Sequence, residues 1–221
     1  THTVEIRAPY LVFLGDATSL TIAKTGAGLV QWAKGKCVGQ SRLSDQTVSL
    51  GLADLSIEDA LQQGAKSLVI GAATYGGVLP DKWLVALIAA AEAGLDIVSG
   101  LHVDLNCFET LKAAAQKSGA RLVNVRKAPS NIPLATGAKR SGKRVLMVGT
   151  DCAVGKKYTA LALHQELLKL GQKASFRATG QTGIMIAGEG LPLDAVVSDF
   201  VAGGAELVSP ANEPDHWDLI E

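Results

Sequence analysis

The chain has 221 residues, 48% of them hydrophobic, and its 21 basic side chains are matched by 21 acidic ones. A chain of this length can bury one large hydrophobic core or two smaller ones. Its formal net charge of zero argues against a general nucleic-acid-binding protein, whose surface would be basic. Nucleic acid is therefore not an expected partner.

Neither a membrane span nor an export signal is predicted. The longest apolar stretch, residues 83–91, is far shorter than the ~20 residues that cross a bilayer. The N-terminal residues lack the charged-then-apolar order of a secretory signal. The cysteines are odd in number and widely spaced, which supports neither a disulfide framework nor a zinc site. We therefore expect a cytoplasmic protein with no membrane partner.

Short apolar runs alternate with helical patterns along the chain. This alternation is typical of strand–helix–strand units around a parallel sheet, so we predict an α/β fold. Strands are predicted, in chain order, at residues 10–14, 67–70, 96–99, 121–125, 144–148, 174–177, 195–198 and 217–220. Helices are predicted at residues 27–32, 56–63, 81–93, 107–117 and 156–170. Ser56 is the expected N-cap of the second helix.

The alternation of predicted strands and helices is interrupted at residues 127–143. This segment contains two prolines and two glycines and has no clear hydrophobic periodicity. We interpret this segment as a linker between residues 1–126 and residues 144–221. Residues 127–177 hold ten basic and two acidic side chains, whereas residues 178–221 hold eight acidic and no basic ones. The basic stretch suits an anionic ligand, and pairing of the two stretches with each other is the alternative.

The strongest motif runs from Gly149 to Lys156, after a predicted strand and before a predicted helix. That context is the one a phosphate-binding P-loop requires, because its glycines let backbone N–H groups point at the phosphates and its lysine neutralises them. A glycine-bearing turn with an incidental lysine is the alternative. The predicted phosphate-binding residues are Gly149, Thr150, Asp151, Cys152, Ala153, Val154, Gly155, Lys156, Lys157 and Tyr158.

Two features distinguish this loop from the usual P-loop. Five residues separate its glycines instead of four, and Lys157 stands where a Ser or Thr hydroxyl would hold Mg²⁺. Thr159 lies about one helical turn further on and is poorly placed to substitute. The loop therefore suits binding of a diphosphate better than metal-assisted phosphoryl transfer, and no metal is implied.

The loop begins Gly-Thr-Asp, which resembles the dethiobiotin-synthetase-like branch of P-loop proteins. Together with several other segments, it resembles more closely the family of DgcN-type D-glutamate N-acetyltransferases, long catalogued only as a domain family of unknown function. The segments that carry this resemblance are residues 9–17, 23–25, 76–80, 99–102, 154–163, 176–183 and 215–221. The resemblance implies a Rossmann-like domain over residues 1–126 and a P-loop domain over residues 144–221. It also implies transfer of an acetyl group from acetyl-CoA to the amino group of D-glutamate.

The resemblance carries further expectations about the chain. Members of the family continue beyond the Leu-Ile-Glu segment, so the remaining C-terminal segment, as a separate chain, is a possible partner along with a second copy of the protein. In the dethiobiotin-synthetase-like group an acidic residue that ends such a strand is a metal ligand, which makes Glu221 a candidate catalytic-region acid. A diphosphate and no need for metal make acetyl-CoA a suitable ligand for this loop. ATP with Mg²⁺ remains the alternative.

Residues after the predicted strand 174–177 are candidates for binding the acceptor. Arg177 can clamp a carboxylate with two hydrogen bonds, and Thr179, Gln181 and Thr182 can orient the substrate. A solvated loop is the alternative. The attacking amine must lose a proton, and Asp199, at the end of the predicted strand 195–198, is the first candidate base. Further candidates are Asp151, His216 and Glu221.

Two other possibilities follow from single residues. Cys152 lies inside the loop and could form an acetyl-cysteine intermediate, although direct transfer is simpler. His102 follows a predicted strand in the N-terminal half, which lacks the spacing of a dinucleotide fingerprint and is not expected to bind NAD. We therefore expect an N-acyltransferase; the alternatives are an ATP-dependent ligase or kinase and a non-catalytic nucleotide-binding protein.

Overall fold

The computed structural model describes residues 3–74, 76, 78–151 and 154–221. Its strands are β1 (Val4–Glu5), β2 (Tyr10–Gly15), β3 (Cys37–Arg42), β4 (Ser67–Ile70), β5 (Asp96–Ser99), β6 (Leu122–Asn124), β7 (Lys143–Leu146), β8 (Ala174–Arg177), β9 (Glu189–Gly190) and β10 (Trp217–Ile220). Its helices are α1 (Lys24–Ala33), α2 (Ile57–Gln62), α3 (Asp81–Glu92), α4 (Glu109–Ser118), α5 (Lys156–Lys169), α6 (Gln181–Ala187) and α7 (Ser198–Val208). The α/β fold is confirmed.

The chain forms two compact units. One comprises Ile6–Arg126, and the other comprises Lys127–Glu221 together with the residues up to Glu5. Among the described residues, none of the helices combines the length and the apolarity that crossing a bilayer requires.

The unit Ile6–Arg126 is built on a five-stranded parallel sheet with the order β3-β2-β4-β5-β6. Strands β2, β4 and β5 are buried along their whole length, as expected for a parallel sheet covered on both faces. Gly15 ends β2 with φ +56°, and an added Cβ would lie 2.0 Å from the Trp83 ring. Trp83 also packs edge-on against Phe13 and donates a hydrogen bond to Asp16 at 2.6 Å.

A buried carboxylate links β5 to the residues that precede β2 and β6. The side chain of Asp96, at the start of β5, is fully buried and accepts hydrogen bonds from Nε of Arg7 at 2.7 Å and Nε of Arg121 at 2.8 Å. Burial alone would raise the pKa of Asp96, but the two arginines outweigh it and hold that pKa below its ordinary value. The charged form of Asp96 therefore stabilises the unit.

The unit that contains residues 127–221 has a three-stranded parallel sheet with the order β7-β10-β8. Residues 127–143, predicted as a linker, belong to this unit and pack against α7. A Cβ on Gly203 would lie 1.8 Å from the carbonyl oxygen of Pro133, so α7 needs glycine there to approach the segment. Glu206 of α7 accepts hydrogen bonds from the backbone N–H groups of Thr136 at 2.9 Å and Gly137 at 2.8 Å. A basic-rich and an acidic-rich part of the sequence therefore meet here.

Every predicted strand is present except the one at residues 195–198. Residues Leu193–Ala195 form a 3-10 turn, and Ser198 is the first residue of α7. The two valines at 196 and 197 have high strand propensity, but the N–H of Val196 donates to the carbonyl oxygen of Leu193 and Val197 is the N-cap of α7, so neither pairs with a strand. Strand β3 was not predicted from the sequence; its Gln40 is fully buried. The amide of Gln40 donates to Ser49 and Asp54 and accepts from the backbone N–H of Leu50.

We predict that Asp96→Asn lowers the free energy of unfolding by about 3 kcal/mol, the lower end for a broken buried ion pair. The lower end applies because Arg7 and Arg121 are 49% and 42% exposed and can be hydrated once the charge is lost. Urea denaturation measures the difference, with the exposed Glu109→Gln as control, for which we expect a change within about 0.5 kcal/mol.

Because the pKa of Asp96 is lowered by folding, the contribution of its carboxylate to the free energy of unfolding is complete above about pH 4 and disappears as the pH falls further. A difference that persists unchanged into acid would contradict this account.

Candidate active site

The three parallel strands β7, β10 and β8 direct their carboxyl ends to the same edge of the sheet. The loop that begins at Gly149 follows β7, Glu221 follows β10, and Ala178 follows β8. Backbone hydrogen bonds extend the ladder to this edge, since the N–H of Glu221 donates to the carbonyl oxygen of Arg177 at 3.1 Å. In parallel α/β sheets this edge is where ligands bind.

Glycines shape the loop between β7 and α5. Gly155 is the N-cap of α5 and has φ +103°, a conformation that side chains rarely adopt. A Cβ on Gly149 would lie 2.7 Å from Cγ2 of Val154, so the two ends of the loop approach each other closely. Thr150 and Asp151 are exposed, while Cys152 and Ala153 lie outside the described residues. The backbone at both ends of the loop therefore needs glycine, as the motif predicted.

Two lysines begin α5. Nζ of Lys156 donates to the carbonyl oxygen of Asp151 at 2.5 Å, so this side chain folds back over the loop. Nζ of Lys157 lies 4.5 Å from the centre of the Tyr158 ring. The hydroxyl of Thr159 donates to the carbonyl oxygen of Gly155 at 3.1 Å and is held within the first turn of the helix. The positive charge at this helix start suits an anionic ligand.

Glu221 lies at the end of the central strand, next to the start of α6. Its Oε2 accepts a hydrogen bond from the backbone N–H of Thr179 at 3.3 Å. Burial raises the pKa of Glu221 and the nearby charge of Asp194 adds to the increase, whereas Lys157 and the backbone N–H groups of Thr179 and Gly180 oppose it. The pKa of this carboxylic acid is therefore higher than that of an ordinary glutamic acid.

The other residues predicted to bind substrate follow β8. The Thr179 hydroxyl donates to the backbone carbonyl oxygen of Glu221 at 3.1 Å. Gln181 and Thr182 begin α6 and are half-buried. The structure therefore brings Thr179 together with Glu221 and places the two α6 side chains next along the chain.

Arg177 has a different environment. Its Nε donates to Oδ1 of Asp218 at 2.8 Å, and the Asp218 side chain is 1% exposed. Within the part of the chain that the structure describes, the two terminal guanidinium nitrogens of Arg177 have no hydrogen-bond partner. Arg177 also lines a cavity of about 240 Å³ together with Glu189 of β9, Val208 at the end of α7 and Pro210 beyond it. An anionic group in this cavity could reach those nitrogens.

The structure places the remaining candidate acids apart from Glu221. Asp199 is exposed in the first turn of α7, so the expectation that it ends a strand is wrong. Nε2 of His216 contacts the Ser175 hydroxyl at 3.0 Å, at the start of β8 rather than at its carboxyl end. In the ranges that the structure describes, no group of three His, Cys, Asp or Glu side chains is arranged to hold a metal ion.

Sequence reasoning missed two features of this region. Asp218 interrupts the apolar strand β10, which is a signal of a buried carboxylate, but its partners Arg177, Ser209 and Asn212 come from distant parts of the chain. Gly183 follows Gly180 by three residues, and neither glycine was recognised as making room for a carboxylate. A Cβ on Gly183 would lie 1.9 Å from Oε2 of Glu221, and one on Gly180 would lie 2.8 Å from Oε1.

Comparison with known proteins identifies both halves of the chain. Residues 37–128 match the family described as "Domain of unknown function (DUF1611_N) Rossmann-like domain". Residues 133–221 match the family described as "Domain of unknown function (DUF1611_C) P-loop domain".

Two curated relatives are both named D-glutamate N-acetyltransferase. One, from Tritonibacter scottomollicae, is 49% identical over 216 residues, which are 98% of this chain and 65% of the relative. The other, from Pseudoalteromonas sp, is 44% identical over 218 residues, which are 99% of this chain and 66% of the relative. The chain thus spans about two thirds of the length of these relatives.

A solved structure shows a similar fold. The crystal structure of a DUF1611 family protein from Anabaena variabilis superimposes with a TM-score of 0.77 at 35% sequence identity. The similarity covers 97% of this chain and 66% of that one.

We predict that Gly183→Ala destabilises the protein by about 1–3 kcal/mol, because the added methyl group displaces the Glu221 carboxylate. A double-mutant cycle with Glu221→Ala, followed by urea denaturation, measures the coupling between the two residues. Without the carboxylate, the same glycine substitution should cost much less. Equal costs in both backgrounds would show that Gly183 and Glu221 are not in contact.

Proposed function

Because the chain belongs to the DUF1611 family, with its Rossmann-like and P-loop domains, we propose that it transfers an acetyl group from acetyl-CoA to the amino group of D-glutamate or a related amino acid. The names of the two curated relatives support this activity. The observation in the chain itself that carries the proposal is the loop that ends in Gly155 and Lys156, with Lys157 next to it. Lysine at 157 replaces the hydroxyl that binds Mg²⁺ in the usual P-loop.

The loop has the chemistry that a coenzyme A diphosphate requires. The glycines allow the backbone to approach the phosphates, the start of α5 offers N–H groups, and Lys156 supplies positive charge. In this proposal Lys156 exchanges its hydrogen bond to the Asp151 carbonyl for one to a phosphate oxygen. Acyl transfer from a thioester needs no phosphoryl-transfer metal, which agrees with lysine at 157.

The acceptor is proposed to bind at the carboxyl end of β8. Thr179, Gln181 and Thr182 lie there with polar side chains, and Glu221 is adjacent to the first of them. Arg177 is the proposed clamp for a substrate carboxylate, because Asp218 fixes its Nε and its two other nitrogens have no hydrogen-bond partner among the described residues. A D-glutamate acceptor has two carboxylates and one amine for these groups to orient.

The proposed setting is the cytoplasm, where the acetyl donor is a soluble metabolite. Cys37 and Cys107 are free thiols, as in proteins of a reducing compartment. The protein is proposed to act on this small molecule as a homo-oligomer.

The first test is calorimetric titration of the complete natural chain with acetyl-CoA and, separately, with ATP in the presence and absence of Mg²⁺. We predict that acetyl-CoA binds without added metal and that Lys156→Ala weakens this binding about 10- to 100-fold, because a charge-assisted hydrogen bond is lost. Lys169→Ala, at the other end of α5, is the matched control and should bind as the wild type does. Tight binding of ATP alone, strengthened by Mg²⁺, would replace this proposal with an ATP-dependent ligase or kinase.

Substitution of Arg177 tests the acceptor site. We predict that Arg177→Lys raises KM for D-glutamate about tenfold or more with little change in kcat, because lysine keeps the charge but loses the planar pair of donors. Steady-state kinetics at saturating acetyl-CoA measures both constants. Arg140→Lys, which alters a partly buried arginine bound to backbone carbonyls outside the proposed site, is the control. A lower melting temperature with unchanged KM would assign Arg177 to structure alone.

A further inference from the structure

The proposed reaction needs a group that accepts a proton, because the amine of an amino acid is an ammonium ion at neutral pH. The carboxylates suggested by the sequence are Asp151, Asp199 and Glu221. The side chains of Asp151 and Asp199 are exposed, the latter on α7. Glu221 is the one among the three that is partly buried and lies at the carboxyl end of a strand.

The surroundings of Glu221 are shaped around its carboxylate. Its Oε2 occupies the position where any side chain at 183 would place a Cβ, and its Oε1 lies close to the corresponding position at 180. The backbone N–H of Thr179 donates to Oε2. Two glycines and one N–H group thus hold the carboxylate beside the proposed acceptor residues on α6.

The charges that face Glu221 come from two elements. Lys157, in the first turn of α5, attracts the carboxylate, and Asp194, between β9 and α7, repels it. The backbone N–H groups of Thr179 and Gly180 favour the ionised form, but burial prevails and raises the pKa. A general base works best when its pKa lies near the working pH, so an increase from the ordinary glutamic acid value favours this role.

We infer that Glu221 is the general base of the acetyl transfer, placed by Gly180 and Gly183 so that its carboxylate contacts the ammonium group of the acceptor. This inference rests on the proposed function.

The proposed step balances in protons and electrons with Glu221 and the two substrates alone. The Glu221 carboxylate takes one proton from the ammonium group, which frees the nitrogen lone pair. The nitrogen forms a bond to the thioester carbonyl carbon, the carbon–sulfur bond breaks, and the coenzyme A thiolate leaves with the bonding electrons. The second proton on the nitrogen passes to the thiolate, and Glu221 releases its proton to solvent.

The test is Glu221→Gln in the complete natural chain, assayed for acetyl transfer to D-glutamate and, by calorimetry, for acetyl-CoA binding. We predict that kcat falls about 10²- to 10⁴-fold while the affinity for acetyl-CoA stays within about threefold of wild type. Glutamine keeps the size and the acceptor oxygen for the Thr179 N–H, so the fold should persist; the melting temperature checks this. Glu166→Gln, an exposed substitution on α5, is the matched control and should retain wild-type activity.

The pH dependence separates a base from a carboxylate that only supports the structure. In the wild type, kcat/KM should fall as the pH drops through the raised pKa of Glu221, because the protonated acid accepts no proton. The limb with its midpoint at the pKa of Glu221 should vanish in Glu221→Gln, whose remaining pH dependence should follow the ionisation of the substrate amine, and Glu221→Asp should retain the limb at a lower rate.

The outcomes distinguish the inference from the function on which it rests. A wild type that binds acetyl-CoA but acetylates no amino acid would refute the proposed function itself. An active wild type whose rate and acidic limb survive Glu221→Gln would refute the role of Glu221 and leave the function intact. Activity that requires added Mg²⁺, with metal affinity lost in Glu221→Gln, would assign the carboxylate to a metal ion instead.

Discussion

The buried carboxylate of Asp218 holds the central strand of the P-loop unit in place. It accepts hydrogen bonds from Arg177 on the neighbouring strand and from Ser209 and Asn212 after α7. A buried charge is tolerated only when it is paired and hydrogen-bonded, so these partners must stay where they are. The register of β10 against β8 follows from this arrangement, and the register places Glu221 beside the loop. The other unit uses Asp96 in the same way, with two arginines as partners.

The alternation of side chains along β8 and β10 separates two chemical environments. Arg177 and Asp218 share one face of the sheet, since they are in contact. Glu221 follows Asp218 by three residues and comes directly after the strand, where it contacts the glycines at 180 and 183 instead. The proposed carboxylate clamp, Arg177, and the proposed proton acceptor, Glu221, therefore lie on different faces of the sheet.

Local signals made some elements predictable and long-range contacts decided the rest. Helix α2 was predicted because Ser56 caps it through the N–H of Asp59, a contact three residues away. The phosphate loop was predicted because strand, glycines, lysine and helix occur in one short segment. Strand β3 was missed because Gln40 looks exposed in the sequence and is satisfied only by residues that fold over it. The pair of valines at 196–197 was wrongly predicted as part of a strand, because strand propensity does not show that Val196 closes a turn on Leu193 and that Val197 is the N-cap of α7. The register of β10 in the sheet likewise decides that the carboxylate of Glu221 lies near the loop.

The charge of Lys157 and the burial of Glu221 have opposite effects on the pKa of Glu221. In a P-loop that transfers phosphoryl groups, a hydroxyl and an acid would serve the metal ion. Here the residue at the hydroxyl position is itself a cation, and its charge acts on Glu221 against the effect of burial. Burial alone would favour the neutral acid, which accepts no proton, whereas full exposure would leave a carboxylate that is a weak base. The opposed effects of burial and Lys157 keep the group ionisable and more basic than a surface glutamate, as the role proposed for Glu221 requires.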